Sequence, residues 1–222
     1  MLTRRRILSH VVFAGQLFDA NGIEVRFFNS SKICNNVCNE ADIRALVDSN
    51  PFKGVTNLGK EMWDKILDPL VVKPAKKGVL EKPVLIITIT DGAPYPERPS
   101  KIRDVIKDTK SALKKTRYGA DAVSLREFPS HLSIPGRPVP LTTAEFAQVG
   151  NDKEAQDFLA DLDDDRAVGA LIDVTSTYEW EQAETKRKTG HDLTPQDWMM
   201  KVGTSRKRPL TSASPRLHRH QV

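Results

Sequence analysis

A single carboxylate stands where this sequence could do chemistry. Val84 to Ile89 is an unbroken apolar and β-branched run that ends at Thr90-Asp91-Gly92. A run of this kind reads as a buried strand, and ligands of open α/β sheets bind beyond the carboxyl ends of such strands. Asp91 could therefore ligate a hard cation, attack a phosphate ester, or do no more than cap an Asp-Gly turn. Attack by an aspartyl nucleophile calls for a second aspartate two residues on, and that place is Ala93.

The other candidate groups form no site. Asp161-Leu-Asp-Asp-Asp165 is acidic enough for calcium, but lacks the glycine and glutamate of a twelve-residue calcium loop and reads as a solvated helix end. Cys34 and Cys38 are the only cysteines, with no second ligand pair, and read as free thiols of a reducing compartment. His10, His131, His191, His218 and His220 make no triad with any serine or cysteine motif, and no phosphate-binding glycine loop or zinc-protease helix occurs. The expectation is a protein that is not an enzyme.

Charge bears on nucleic-acid binding. The 222 residues carry a net charge of +5, but six basic and no acidic residues lie from Lys201 onward, which leaves residues 1–200 at −1. Basicity confined to a tail gives no reason to expect a nucleic-acid-binding domain. No run approaches the roughly 18 apolar residues of a membrane span. A cytoplasmic protein is expected; Arg206, Lys207 and Arg208 also have the form of a nuclear-import signal, although an incidental basic tail is the plainer reading.

The elements that must position Asp91 follow from periodicity. Leu2–Phe18 has the spacing of an amphipathic helix, Ile23–Phe28 reads as a strand, and Asn39 can cap a short helix through Ile43, Leu46 and Val47. Leu58, Met62, Ile66 and Leu70 form one helical stripe, and Val84–Ile89 is expected at the centre of a parallel sheet. Ser100 can cap a helix bearing Ile102, Val105, Ile106 and Leu113. Residues 123–144, with four prolines and no period, form an irregular insert before the strand at Glu145–Gly150. A helix from Asp152 buries Ala155, Phe158, Leu159 and Leu162, a strand covers Ala167–Thr175, and Thr194 starts a last helix. One α/β domain over residues 1–200 and a disordered basic tail over 201–222 result.

With these elements in order, the chain resembles the von Willebrand factor A domain, in an intracellular branch known from fungi. The phrases that carry the resemblance are Phe52-Lys-Gly-Val-Thr-Asn-Leu-Gly59, Lys82-Pro-Val-Leu-Ile-Ile-Thr-Ile-Thr-Asp-Gly92, Phe146-Ala-Gln-Val-Gly-Asn-Asp152, Phe158-Leu-Ala-Asp-Leu-Asp163, Ile172-Asp-Val-Thr-Ser176 and Leu193-Thr-Pro195. The resemblance implies a Rossmann-like, mostly parallel sheet flanked by helices, and a protein-binding site built on Mg²⁺. In that family the ion takes a threonine, matched by Thr56, an aspartate, matched by Asp91, and an Asp-x-Ser-x-Ser loop that this sequence lacks. The expected chain is thus an N-terminally truncated interaction module with a weak residual metal site, missing the strand between Ile23–Phe28 and Val84–Ile89. The competing readings are a Mg²⁺-dependent phosphohydrolase on a similar sheet and a nucleic-acid binder acting through the tail.

Overall fold

A computed structural model describes residues 21–50, 54–80, 84–119, 142–148, 152–175, 178–194 and 197–198. The expected helix at Leu2–Phe18, residues 123–141 of the expected insert and the expected tail lie outside them.

Ile23–Phe27 forms strand β1 and turns through Phe28-Asn29 into β2, Ser30–Val37, an antiparallel hairpin with two register shifts. β2 is not among the elements expected from the sequence. β2 escapes detection because its run Ser-Ser-Lys-Ile-Cys-Asn-Asn-Val buries only Val37 fully, so it shows no apolar alternation. Backbone pairing holds it instead, helped by the Arg26 guanidinium, which donates to the Cys34 carbonyl at 3.3 Å. Helix α1, Glu40–Ser49, follows its expected cap: the Asn39 side chain accepts from the Asp42 amide at 2.9 Å. Val25, Val37, Ile43 and Leu46 close a small core between hairpin and helix.

One long helical segment comes next, in three parts: α2 (Leu58–Met62), a π-helical stretch (Trp63–Val72) and α3 (Lys73–Lys77). The expected stripe through Ile66 and Leu70 is displaced. Leu58 and Met62 of that stripe are buried, but Ile66 and Leu70 are only half-buried; one position on, Leu67 and Val71 are buried instead, with Val72 beside them, as a widening of the turns from Trp63 onward produces. Pro69 lies inside this stretch; having no N–H and crowding the preceding turn, it is ill suited to ordinary helical turns. Lys65 ties the helix to the hairpin, its ammonium donating to the carbonyls of Phe27 (2.6 Å), Phe28 (3.1 Å) and Ser30 (3.0 Å) and pairing with Glu61 at 2.6 Å.

The second sheet is parallel and three-stranded, in the order β3 (Val84–Thr90), β4 (Thr142–Gln148), β5 (Ile172–Thr175). Helix α4, Lys101–Lys114, separates β3 from β4, and α5, Lys153–Asp163, separates β4 from β5. The chain is therefore mixed α/β. Three expectations need correction. β3 is not central: among the described residues it is paired on one side only, and just one face, Ile86, Thr88 and Thr90, is buried. β4 begins inside the segment read as an irregular insert, because Thr142, Thr143 and Ala144 pair with Val84, Leu85 and Ile86. β5 is half its expected length. Residues 166–171 are drawn into tight turns instead, where the Asp165 carboxylate accepts from the Ala167 and Val168 amides at 2.8 and 3.1 Å. Those bonds hold the Asp165 carboxyl below its usual range despite some burial, with Arg103 adding to the effect at 2.9 Å.

Both crossover helices show their expected faces. Ile102, Val105, Ile106 and Leu113 of α4 and Ala155, Phe158, Leu159 and Leu162 of α5 are buried around Phe146 of β4. Asp152 caps α5 through the Ala155 amide at 2.7 Å, whereas the Ser100 hydroxyl makes no cap bond to α4. Helix α6, Tyr178–Thr189, was not legible, since its described residues are all at least partly exposed and carry no apolar stripe. Thr194 does cap a final turn, accepting from the Asp197 amide at 3.1 Å, and Trp198 is fully buried. No helix among the described residues is long and apolar enough to cross a membrane.

Candidate functional site at the carboxyl end of the third strand

Asp91 is exposed immediately beyond β3. The Thr90 hydroxyl shapes the turn that carries it, donating to the Gly92 carbonyl at 2.9 Å. From there Ala93 and Pro94 lead to Tyr95, whose backbone bonds in both directions with Thr56: Thr56 N–H to Tyr95 O at 2.7 Å, Tyr95 N–H to Thr56 O at 3.1 Å. This short antiparallel bridge joins the Gly54–Gly59 loop to the loop after β3. The two residues matched by the resemblance thus lie on joined loops at one end of the sheet.

A third segment completes the rim. Gly59 is buried against the start of α4, where a side chain would stand 2.9 Å from the Ile102 nitrogen and the Lys101 carbonyl carbon. Only glycine allows that approach. Sequence reasoning missed Glu97, which locks the arrangement: its carboxylate accepts from the Gly59 amide at 2.6 Å and the Lys60 amide at 2.9 Å. An acid facing the first amides of a helix is favoured by the unpaired N–H groups and the dipole there. The available signal was Gly59 at a helix start, which leaves backbone donors bare; what no local pattern shows is that the partner comes from 38 residues away.

Charges crowd this rim. The hydrogen bonds that exposed Lys60 donates to Asp64 and Glu61 raise its pKa. Burial pushes the Glu61 carboxyl up, but hydrogen bonds from Lys65 and Lys60 outweigh it and leave the group below its usual range. Apolar groups stand beside them: Tyr95 is 72% exposed and Val55 40% exposed.

Thr56 and Asp91 offer Mg²⁺ one hydroxyl and one carboxylate, both hard oxygen donors. Mg²⁺ keeps several waters and needs few protein ligands, so donors of this type suit its chemistry. Glu97 already spends both oxygens on backbone amides. Among the described residues no group of three or more histidine, cysteine or acidic side chains could hold a metal ion.

Removing the Glu97 carboxylate strands two amides at the mouth of the site. Glu97→Ala is expected to lower stability by about 2 kcal/mol, the cost of a lost charged cap, and to loosen both loops. Gly92→Ala is the matched control, because a methyl there meets nothing within 4 Å and no positive φ is needed. Urea unfolding of both variants should show the first shifted and the second within about 0.5 kcal/mol of the parent. Equal midpoints would mean that Glu97 does not hold the rim.

Comparison with protein-family models, with curated proteins and with solved structures gave no match.

Proposed function

We propose that the chain is a protein-interaction module of the von Willebrand factor A type, non-catalytic, built on a Rossmann-like sheet to which β3, β4 and β5 belong. The observation that carries this reading is the Thr56–Tyr95 bridge, which sets a hydroxyl, a carboxylate and an exposed aromatic ring on one rim. That rim lies beyond the carboxyl end of a parallel strand, where open α/β sheets take their ligands. Asp91 and Thr56 hold Mg²⁺ weakly, and the ion accepts an acidic side chain of the partner. Tyr95 and Val55 supply the apolar contact, and exposed tyrosines of this kind anchor interfaces.

Affinity capture on the immobilised chain with Mg²⁺, and again with a chelator, tests the reading. Proteins held only with Mg²⁺ should be lost from Asp91→Ala, and Tyr95→Ala should weaken their binding about tenfold or more. Capture indifferent to Mg²⁺ and to Asp91 would overturn it. Turnover of a generic phosphate ester that disappears in Asp91→Ala would assign the same rim to a phosphohydrolase instead.

A further inference from the structure

Cations gather at the opposite end of β3. Residues 73–77 and 110–117 hold seven lysines and arginines and no acid, in a chain whose first 200 residues sum to −1. The fold brings these stretches together, since α3 ends just before β3 and α4 runs back to the same place. Tyr118, beyond α4, donates from its hydroxyl to the Leu80 carbonyl at 2.9 Å and so fastens the two ends.

Between them lies a cleft of about 290 Å³, lined by Lys76, Lys77, Lys115 and Arg117 together with Gly78 and Thr116. Gly78 ends α3 in the left-handed conformation, and the Arg117 guanidinium passes 3.7 Å from the place of its absent side chain. Arg117 is held against Tyr118: its central carbon lies 4.9 Å from the centroid of the Tyr118 ring and one nitrogen donates to the Tyr118 hydroxyl at 2.9 Å. Among the described residues no carboxylate pairs with any of the four cations, in contrast to Lys73, which meets Asp68 at 2.7 Å. Basic residues at helix ends offset the helix dipole, but two half-charges account for only one of them. The amides of Gly78, Lys115 and Thr116 are spent on carbonyls within their own turns, so the cleft offers charge and an oriented guanidinium fork. The cleft is open to solvent, with room for a small polyanion.

We propose that this cleft binds an anion bearing two or more phosphoryl groups, with Arg117 as the fork and Lys76, Lys77 and Lys115 as point charges. Calorimetric titration of the full chain with inorganic tripolyphosphate, at low and at raised salt, is the test. Binding is expected that weakens with salt, falls about tenfold or more in Arg117→Ala, and disappears in the double variant Lys77→Glu, Lys115→Glu. Arg117→Lys, which keeps the charge without the fork, should fall between, and Lys153→Glu, an exposed lysine on α5, should bind as the parent does. Circular dichroism identical to the parent's certifies the variants as folded. Undiminished binding in the cleft variants would place the anion elsewhere, on the basic residues after Lys201 for example, and overturn the proposal. So would an equal loss in Lys153→Glu, or binding of duplex DNA without any of tripolyphosphate.

Discussion

Phe146→Ala is expected to cost about 3–5 kcal/mol, the range for deleting a buried aromatic side chain that its surroundings cannot replace. Phe146 is fully buried at the middle of β4, level with Thr88 of β3 on one side and Val174 of β5 on the other. Side chains from both crossover helices and from the helical segment 58–77 share its core, so the cavity would be walled by several rigid elements. Collapse into it would disturb all of them, which places the loss toward the upper end. Denaturant unfolding of Phe146→Leu, about 1 kcal/mol by comparison, separates lost volume from altered strand pairing. A loss below about 1 kcal/mol in the alanine variant would contradict the packing of the middle strand.

Gly169→Ala should be nearly as damaging, at about 3 kcal/mol, for a different reason. Gly169 is buried in the turn of Gly169–Leu171, and its amide donates to the Asp165 carbonyl at 2.8 Å. A methyl group there would fall on the Asp163 carbonyl oxygen and 3.0 Å from its carbon, backbone atoms at the end of α5. Its φ is one that any residue adopts, so the penalty is steric. Gly190→Ala provides the contrast: its φ of 76° strains an L-residue, while nothing lies within 4 Å of the added carbon. About 1 kcal/mol is expected there, from backbone strain alone. If the two variants unfold at the same midpoint, α5 and the turn before β5 are not packed this closely.

What could be read from the sequence divides along the range of the forces involved. Asp152 with the Ala155–Leu162 face, Asn39 as a cap and the β3 run are local, because periodicity and capping act within a few residues. The same is true of Asp91 at the end of its strand. Glu97 could not be read in this way, since its partners Gly59 and Lys60 belong to another loop. Nor could the place of β3: an apolar strand announces burial, but which neighbours bury it depends on segments far along the chain. The helical stripe failed where Pro69 lies, at a break in regular spacing that a fixed period cannot anticipate. Thr56 entered only by resemblance, and its backbone bridge to Tyr95 is a tertiary fact.

The strand register also bears on the order of assembly. Pairing β4 with β5 joins Ala144 to Ile172, whereas pairing β3 with β4 joins Val84 to Thr142, across a loop about twice as long. Doubling a loop costs only about 0.6 kcal/mol of closure entropy, a mild bias toward the β4–α5–β5 unit. That bias favours docking β3, the strand that leads into Asp91, last. This strand completes the three-stranded sheet at its margin, so in that order the rim at its end closes after the core around Phe146 has begun to form.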